Sequence, residues 1–195
     1  LFVSGLLSRK MYGPPVKPPQ PNLGLKAAFG SSTDWKTSMG EDKFRRGIYT
    51  NWRRSSPYPS MATFDAPNRE ICVSRRGRTN TPLQALVTLN DPVYIEAAQA
   101  LGRRILKHGG DSLNDQITYA WRTALLRDPT GKEINRISAL INSAKERFTT
   151  IPEEAKKLAT EPIGAAPKGS DIAELAAWTV AGNVILNLDE LFLKR

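Results

Sequence analysis

From Thr81 to the C-terminus, paired start and stop signals cut this chain into bounded helices, and that punctuation constrains its fold more than any other feature. Thr81-Pro-Leu-Gln84 reads as a capping box with proline at the first helical position. The Thr81 hydroxyl accepts from the Gln84 amide, and the Gln84 side chain returns to the Thr81 amide. The helix so opened, 82–89, is short, and Asn90-Asp-Pro92 ends it. Asp91 then caps a second helix whose Val93, Ala97, Leu101 and Ile105 are spaced by four, with Gly109-Gly110 as its stop. A third starts at Asp111 or Ser112 and sets Ile117, Ala120, Trp121, Ala124 and Leu125 on one stripe, with Trp121 as a core anchor. Asp128-Pro129 ends it, and Thr130-Gly-Lys-Glu133 is a second capping box. The helix after that box carries the stripe Ile134, Ile137, Leu140, Ile141, Ala144 and Phe148. Residues 152–160 read as a short charged, solvent-facing helix and 161–170 as a flexible linker. A last helix, capped by Ser170 or Asp171, runs to about Phe192 and is apolar on more than one face, which predicts burial. Short links between long helices predict antiparallel neighbours.

The N-terminal half has the opposite character. After a helix tail at 1–8, Gly13-Pro-Pro-Val-Lys-Pro-Pro-Gln-Pro21 should run as an extended strap packed on its own domain. Residues 22–41 read as loop with Trp35 as the one large anchor. Gly47-Ile-Tyr-Thr-Asn-Trp52 has the composition of a short strand, with Ile71-Cys-Val-Ser74 as a possible partner, and Pro57, Pro59 and Pro67 force an irregular loop between them. The expected fold class is therefore mainly α: an antiparallel helical array over 81–195, with an irregular, proline- and arginine-rich half over 1–80 that could include one short β-ribbon. Together they read as one domain, and as a fragment of a longer chain because the first residue is Leu1.

Several chemistries are excluded by count. One cysteine, Cys72, permits no internal disulfide, and with one histidine, His108, no zinc set can be assembled and no haem-attachment motif exists. Cys72 between Ile71 and Val73 reads as a small buried hydrophobe, and His108 as a helix-terminal imidazole, so a nucleophile set of Asp65, Cys72 and His108 is disfavoured. No Gly-rich phosphate loop and no transmembrane segment is present. The net charge of +9 is uneven: from Lys43 to Arg78 nine basic residues face two acids.

Three runs carry a resemblance: Gly40-Glu-Asp-Lys-Phe-Arg-Arg-Gly-Ile-Tyr-Thr-Asn-Trp-Arg-Arg54, Pro57-Tyr-Pro-Ser-Met-Ala-Thr-Phe-Asp-Ala-Pro67 and Arg78-Thr-Asn-Thr-Pro-Leu-Gln-Ala-Leu-Val-Thr-Leu-Asn-Asp-Pro92. They resemble the planctomycete-specific C-terminal domain of unknown function, the family found behind planctomycete-type cytochrome c domains. The strap, Leu-Leu-Arg-Asp-Pro-Thr at 125–130 and Asn-Leu-Asp-Glu-Leu-Phe-Leu at 187–193 fit the same pattern. The resemblance implies a C-terminal piece of an exported, periplasmic or extracytoplasmic multidomain protein. Any haem would then lie in an upstream domain. The resemblance carries over no catalytic residue.

The residues themselves give no catalytic constellation and no metal site, and whether the chain serves an enzyme stays open. The first reading is a non-catalytic structural or interaction module whose partners are upstream domains of the same chain, or an acidic polysaccharide or acidic protein surface. The second is part of a hydrolase or redox enzyme acting on polysaccharide, its active site completed upstream. Nucleic acid is disfavoured for want of any recognised motif. Arg45, Arg46, Arg53 and Arg54 are the expected exposed, anion-binding set. Arg76 and Arg78 are expected to brace loop carbonyls beside the Thr81 cap, and Thr81, Gln84, Asp91 and Trp121 to be structural.

Overall fold

A computed structural model of the chain describes residues 1–20, 35–53, 57–67, 72–75, 77 and 79–192. The chain gathers into two compact units, Leu7–Val93 and Leu1–Leu6 with Tyr94–Arg195. The fold is mainly helical, as expected, with helices packed on one another, but the helix after Thr81, α2 (Pro82–Asn90), belongs to the N-terminal unit.

In the C-terminal unit the helices are α3 (Pro92–His108), which enters from the other unit in its first turn, α4 (Leu113–Leu125), α5 (Gly131–Thr150), α6 (Pro152–Thr160), α7 (Ile172–Leu186) and α8 (Asp189–Phe192). Their starts follow the sequence signals: Ser112, Thr130 and Asp171 each accept backbone amides as N-caps, and Thr130 with Glu133 closes a full capping box. α7 is apolar nearly all round and is buried accordingly, from Leu175 to Leu186. α5 and α6 pack on it. Leu101, Ile105, Ile117, Trp121, Ile137, Ile141, Trp178 and Ile185 form the main core.

Small residues let two backbones come close. A methyl at Gly182 would lie 2.9 Å from the Ala98 carbonyl oxygen, and one at Gly102 would lie 3.1 Å from the Trp178 backbone, so at each point a glycine of one helix lets the backbone of the other approach.

Four expectations are corrected in this unit. Residues 2–5 form a turn, not a helix tail, with Val3 and Leu6 against the core. α6 is not wholly solvent-facing, because Ala155 and Ala159 seal a second cluster with Phe148, Leu175 and Ala176. The segment after α6 is pinned: buried Gln99 donates to the Leu158 and Glu161 carbonyls and accepts from the Ile163 amide, and Arg103 donates to the Ala159 and Gly164 carbonyls. The last helix breaks at Asn187, and α8 follows as a separate turn.

The N-terminal unit holds two 3₁₀ turns, Gly40–Phe44 and Gly47–Tyr49, and helices α1 (Pro59–Thr63) and α2 (Pro82–Asn90). The expected ribbon is absent among the described residues. Gly47–Tyr49 is a 3₁₀ turn, and Thr50 makes one isolated parallel bridge to Val16 of the strap. Cys72 is exposed, not buried. Ile71, the start of the predicted partner strand, lies outside the described residues. No helix among the described residues is long and apolar enough to cross a membrane.

Candidate interaction surface

A proline-rich strap carries carbonyl acceptors and few amides, so it cannot be held by ladder hydrogen bonds alone. Side-chain donors do the work here. Trp35 donates its indole N–H to the Pro18 carbonyl at 2.9 Å, and Tyr58 its hydroxyl to the Pro19 carbonyl at 2.6 Å. The two rings stack with centroids 5.8 Å apart. The Pro14 carbonyl takes a guanidinium N–H from Arg45 at 3.2 Å. Between them Val16, buried, donates its amide to Tyr49 at 2.8 Å and accepts from the Asn51 amide at 2.7 Å.

Arg45 is the hub. It is 3% exposed and also donates to the carbonyls of Tyr12 and Lys10. Its guanidinium carbon lies 3.7 Å from the centroid of the Tyr49 ring. The Tyr49 hydroxyl in turn accepts from the Tyr12 amide at 2.9 Å. Tyr12 and Gly13 both sit at positive φ, 60° and 94°, so the strap makes a tight bend around this guanidinium. The bend leaves the Tyr12 side chain 80% exposed and Met11 51% exposed. Arg46, exposed, approaches the Met11 sulfur at 4.0 Å, as does the Tyr49 hydroxyl. Ile48, between Gly47 and Tyr49, is 79% exposed. Below the bend Lys10 meets Glu41 and Asp42 at 3.4 and 3.2 Å, and Asp42 is the first cause of the upward shift of its pKa.

The expected exposed, anion-binding set loses Arg45. Arg45 is corrected from exposed ligand to buried brace, because the strap needs its donors more than solvent does. Arg46 is exposed, Arg53 is half-buried, and Arg54 lies outside the described residues, as do the predicted braces Arg76 and Arg78.

The predicted structural residues are placed as follows. Thr81 and Gln84 exchange both hydrogen bonds of the capping box. Gln84, buried, also donates to the Thr63 carbonyl at 2.9 Å and the Thr79 hydroxyl at 2.7 Å, tying α2 to the end of α1. Asp65, at φ 58°, accepts from the Thr79 amide and hydroxyl. Asp91, 2% exposed, accepts from the Val93 amide at 2.9 Å and from the Ser60 hydroxyl. Trp121 lies in the main core. His108 faces the Tyr119 ring. No cluster of His, Cys, Asp and Glu able to hold a metal ion occurs among the described residues.

Sequence reasoning missed Tyr12, Met11 and Tyr49. The available signal was a four-residue spacing, Arg45 to Tyr49, opposite a strap rich in orphan acceptors. It also missed Arg127, whose guanidinium forks onto two carboxylates: Glu133 at 2.7 and 3.0 Å and Glu190 at 2.7 and 2.8 Å. Arg127 holds the Glu133 carboxyl well below the usual range, against partial burial and with help from Thr130. The same contacts, Glu190 first, push the Arg127 guanidinium up.

Residues 1–141 match the family described as PSD1, protein of unknown function (DUF1553), and the chain belongs to that family. The match ends inside α5. No curated protein and no solved structure matches the chain.

Proposed function

We propose that this chain, as a member of that family, is a non-catalytic interaction module that holds a protein partner against the other domains of a large exported polypeptide. The observation that supports this reading is Arg45. A guanidinium that could have faced an anionic ligand is instead 3% exposed and committed to strap carbonyls, and what the strap displays in return is side-chain surface. Arrangements of this kind serve recognition: a rigid backbone lowers the entropy lost on binding. The first partner to consider is the segment preceding this chain in its own polypeptide, including the cytochrome c-type domain that the resemblance implies, in an extracytoplasmic compartment.

The test is to produce the chain and that preceding segment as separate polypeptides and run the mixture on a sizing column. Co-elution as a stoichiometric complex is the expected result. Independent elution at both low and physiological salt would overturn the reading.

A further inference from the structure

We infer that the strap bend formed by Met11, Tyr12 and Gly13, together with Arg46 and Ile48, is the docking edge of this module, and that it takes a protein segment whose apolar side chains are flanked by carboxylates. The inference rests on the interaction-module reading and adds where the contact is made and with what chemistry.

Single exposed apolar side chains need no explanation. Here the 80% exposed tyrosine and the half-exposed methionine are consecutive, and both are tied to one polar hub. The Tyr12 amide and carbonyl are held by Tyr49 and Arg45, and the Met11 sulfur faces Arg46 and Tyr49. Tyr12 is also held at φ 60°, a region that costs a residue with a Cβ free energy and persists only where the surroundings fix it. A buried arginine and a tyrosine hydroxyl supply that fixing, with no return in buried Tyr12 surface. The residue types match those that dominate protein interfaces: tyrosine, methionine and arginine, on a backbone already in its bound shape.

Charge selects the partner's rim. Arg9, Lys10, Lys43, Arg45 and Arg46 outnumber Glu41 and Asp42 in the segments that build the bend. Lys10 is engaged by both acids, Arg45 is buried, and Lys43 is half-buried over the Phe44 ring, which leaves Arg9 and Arg46 as the exposed pair. Two cations beside an aromatic anchor fit a few carboxylates flanking apolar side chains. They do not make the continuous cationic row that a sulfated polysaccharide needs, because Arg45 is withdrawn from that row.

The probes are immobilised synthetic peptides in which leucine and phenylalanine are flanked by glutamate, the same peptides with lysine for glutamate, and heparin. Wild-type chain should bind the glutamate peptides, more weakly as salt rises. Tyr12→Asn, chosen because asparagine tolerates the left-handed backbone, and Arg46→Glu should each weaken binding about tenfold or more. Both variants should keep the wild-type urea midpoint, since both side chains are exposed. Three results would overturn the inference: wild-type affinity in both variants, no binding of wild-type chain to the glutamate peptides, or preference for the lysine peptides or for heparin. Co-elution with the preceding segment is measured separately. A complex that survives both substitutions would therefore sink this surface and leave the module reading standing.

Discussion

Arg45 and Arg46 are chain neighbours with the same chemistry and opposite circumstances: the first is buried under the strap bend, the second faces solvent beside Met11. The consequence is measurable. Arg45→Gln removes charged donors from the Pro14, Tyr12 and Lys10 carbonyls and the cation over Tyr49, and should cost about 1.5–3 kcal/mol, the range for hydrogen bonds to a charged group. Arg46→Gln should cost about 0.5 kcal/mol or less. Urea melts of the two variants compare them, and equal midpoints would remove Arg45 from its role as brace. Nothing in the pair Arg-Arg says which one turns inward. That choice is made by Tyr49 one turn later and by carbonyls some thirty positions earlier, a tertiary match that composition cannot disclose.

Among the elements, those with local chemistry were readable in advance. The Thr81 and Thr130 capping boxes form with the partners their spacing predicts. The misread elements depended on distant partners. Gly47–Trp52 has strand composition, yet its neighbour is Val16 of the strap, and Gly47–Tyr49 curls to pair Tyr49 with that strap. Gln84 shows both sides: its cap was legible, its bonds to Thr63 and Thr79 were not. Thr81→Ala should cost about 1 kcal/mol, the usual value of a lost cap. Gln84→Ala should cost roughly 2 kcal/mol, because the Thr63 carbonyl at the end of α1 and the Thr79 hydroxyl lose their donor as well; calorimetry or urea melts that rank Thr81→Ala as the worse change would contradict this. The α5 start adds a pH signature. Glu133 has a folded-state pKa depressed chiefly by Arg127, so its contribution is present above the ordinary glutamate value and is lost as pH falls through that value towards the folded one. In acid titrations followed by circular dichroism, Glu133→Gln should be less stable than wild type near neutrality, and the difference should start to shrink only as pH falls below about 4.

Across the whole chain, two kinds of stability are at work. The unit that includes α4 to α8 is held by apolar packing around Trp121, Trp178, Leu101 and Ile105, with α3 and α7 in close contact at Gly102 and Gly182. Among its described residues the unit Leu7–Val93 buries few large apolar side chains, chiefly Val16 and Tyr58, and uses Arg45, Trp35, Tyr58, Gln84 and Asp91 as hydrogen-bonding braces. Packed cores exchange their amides only on global opening, whereas segments held by a few polar contacts open locally. Native-state hydrogen exchange of wild type and Arg45→Gln therefore separates the two. The amides of Tyr12, Val16 and Asn51, which bond within the strap assembly, should exchange about 10- to 100-fold faster in Arg45→Gln, while those of Leu101, Trp178 and Ile185 keep their wild-type rates. Unchanged exchange at the three strap amides would show that Arg45 does not hold the bend, and the account of this surface as a braced platform would fail.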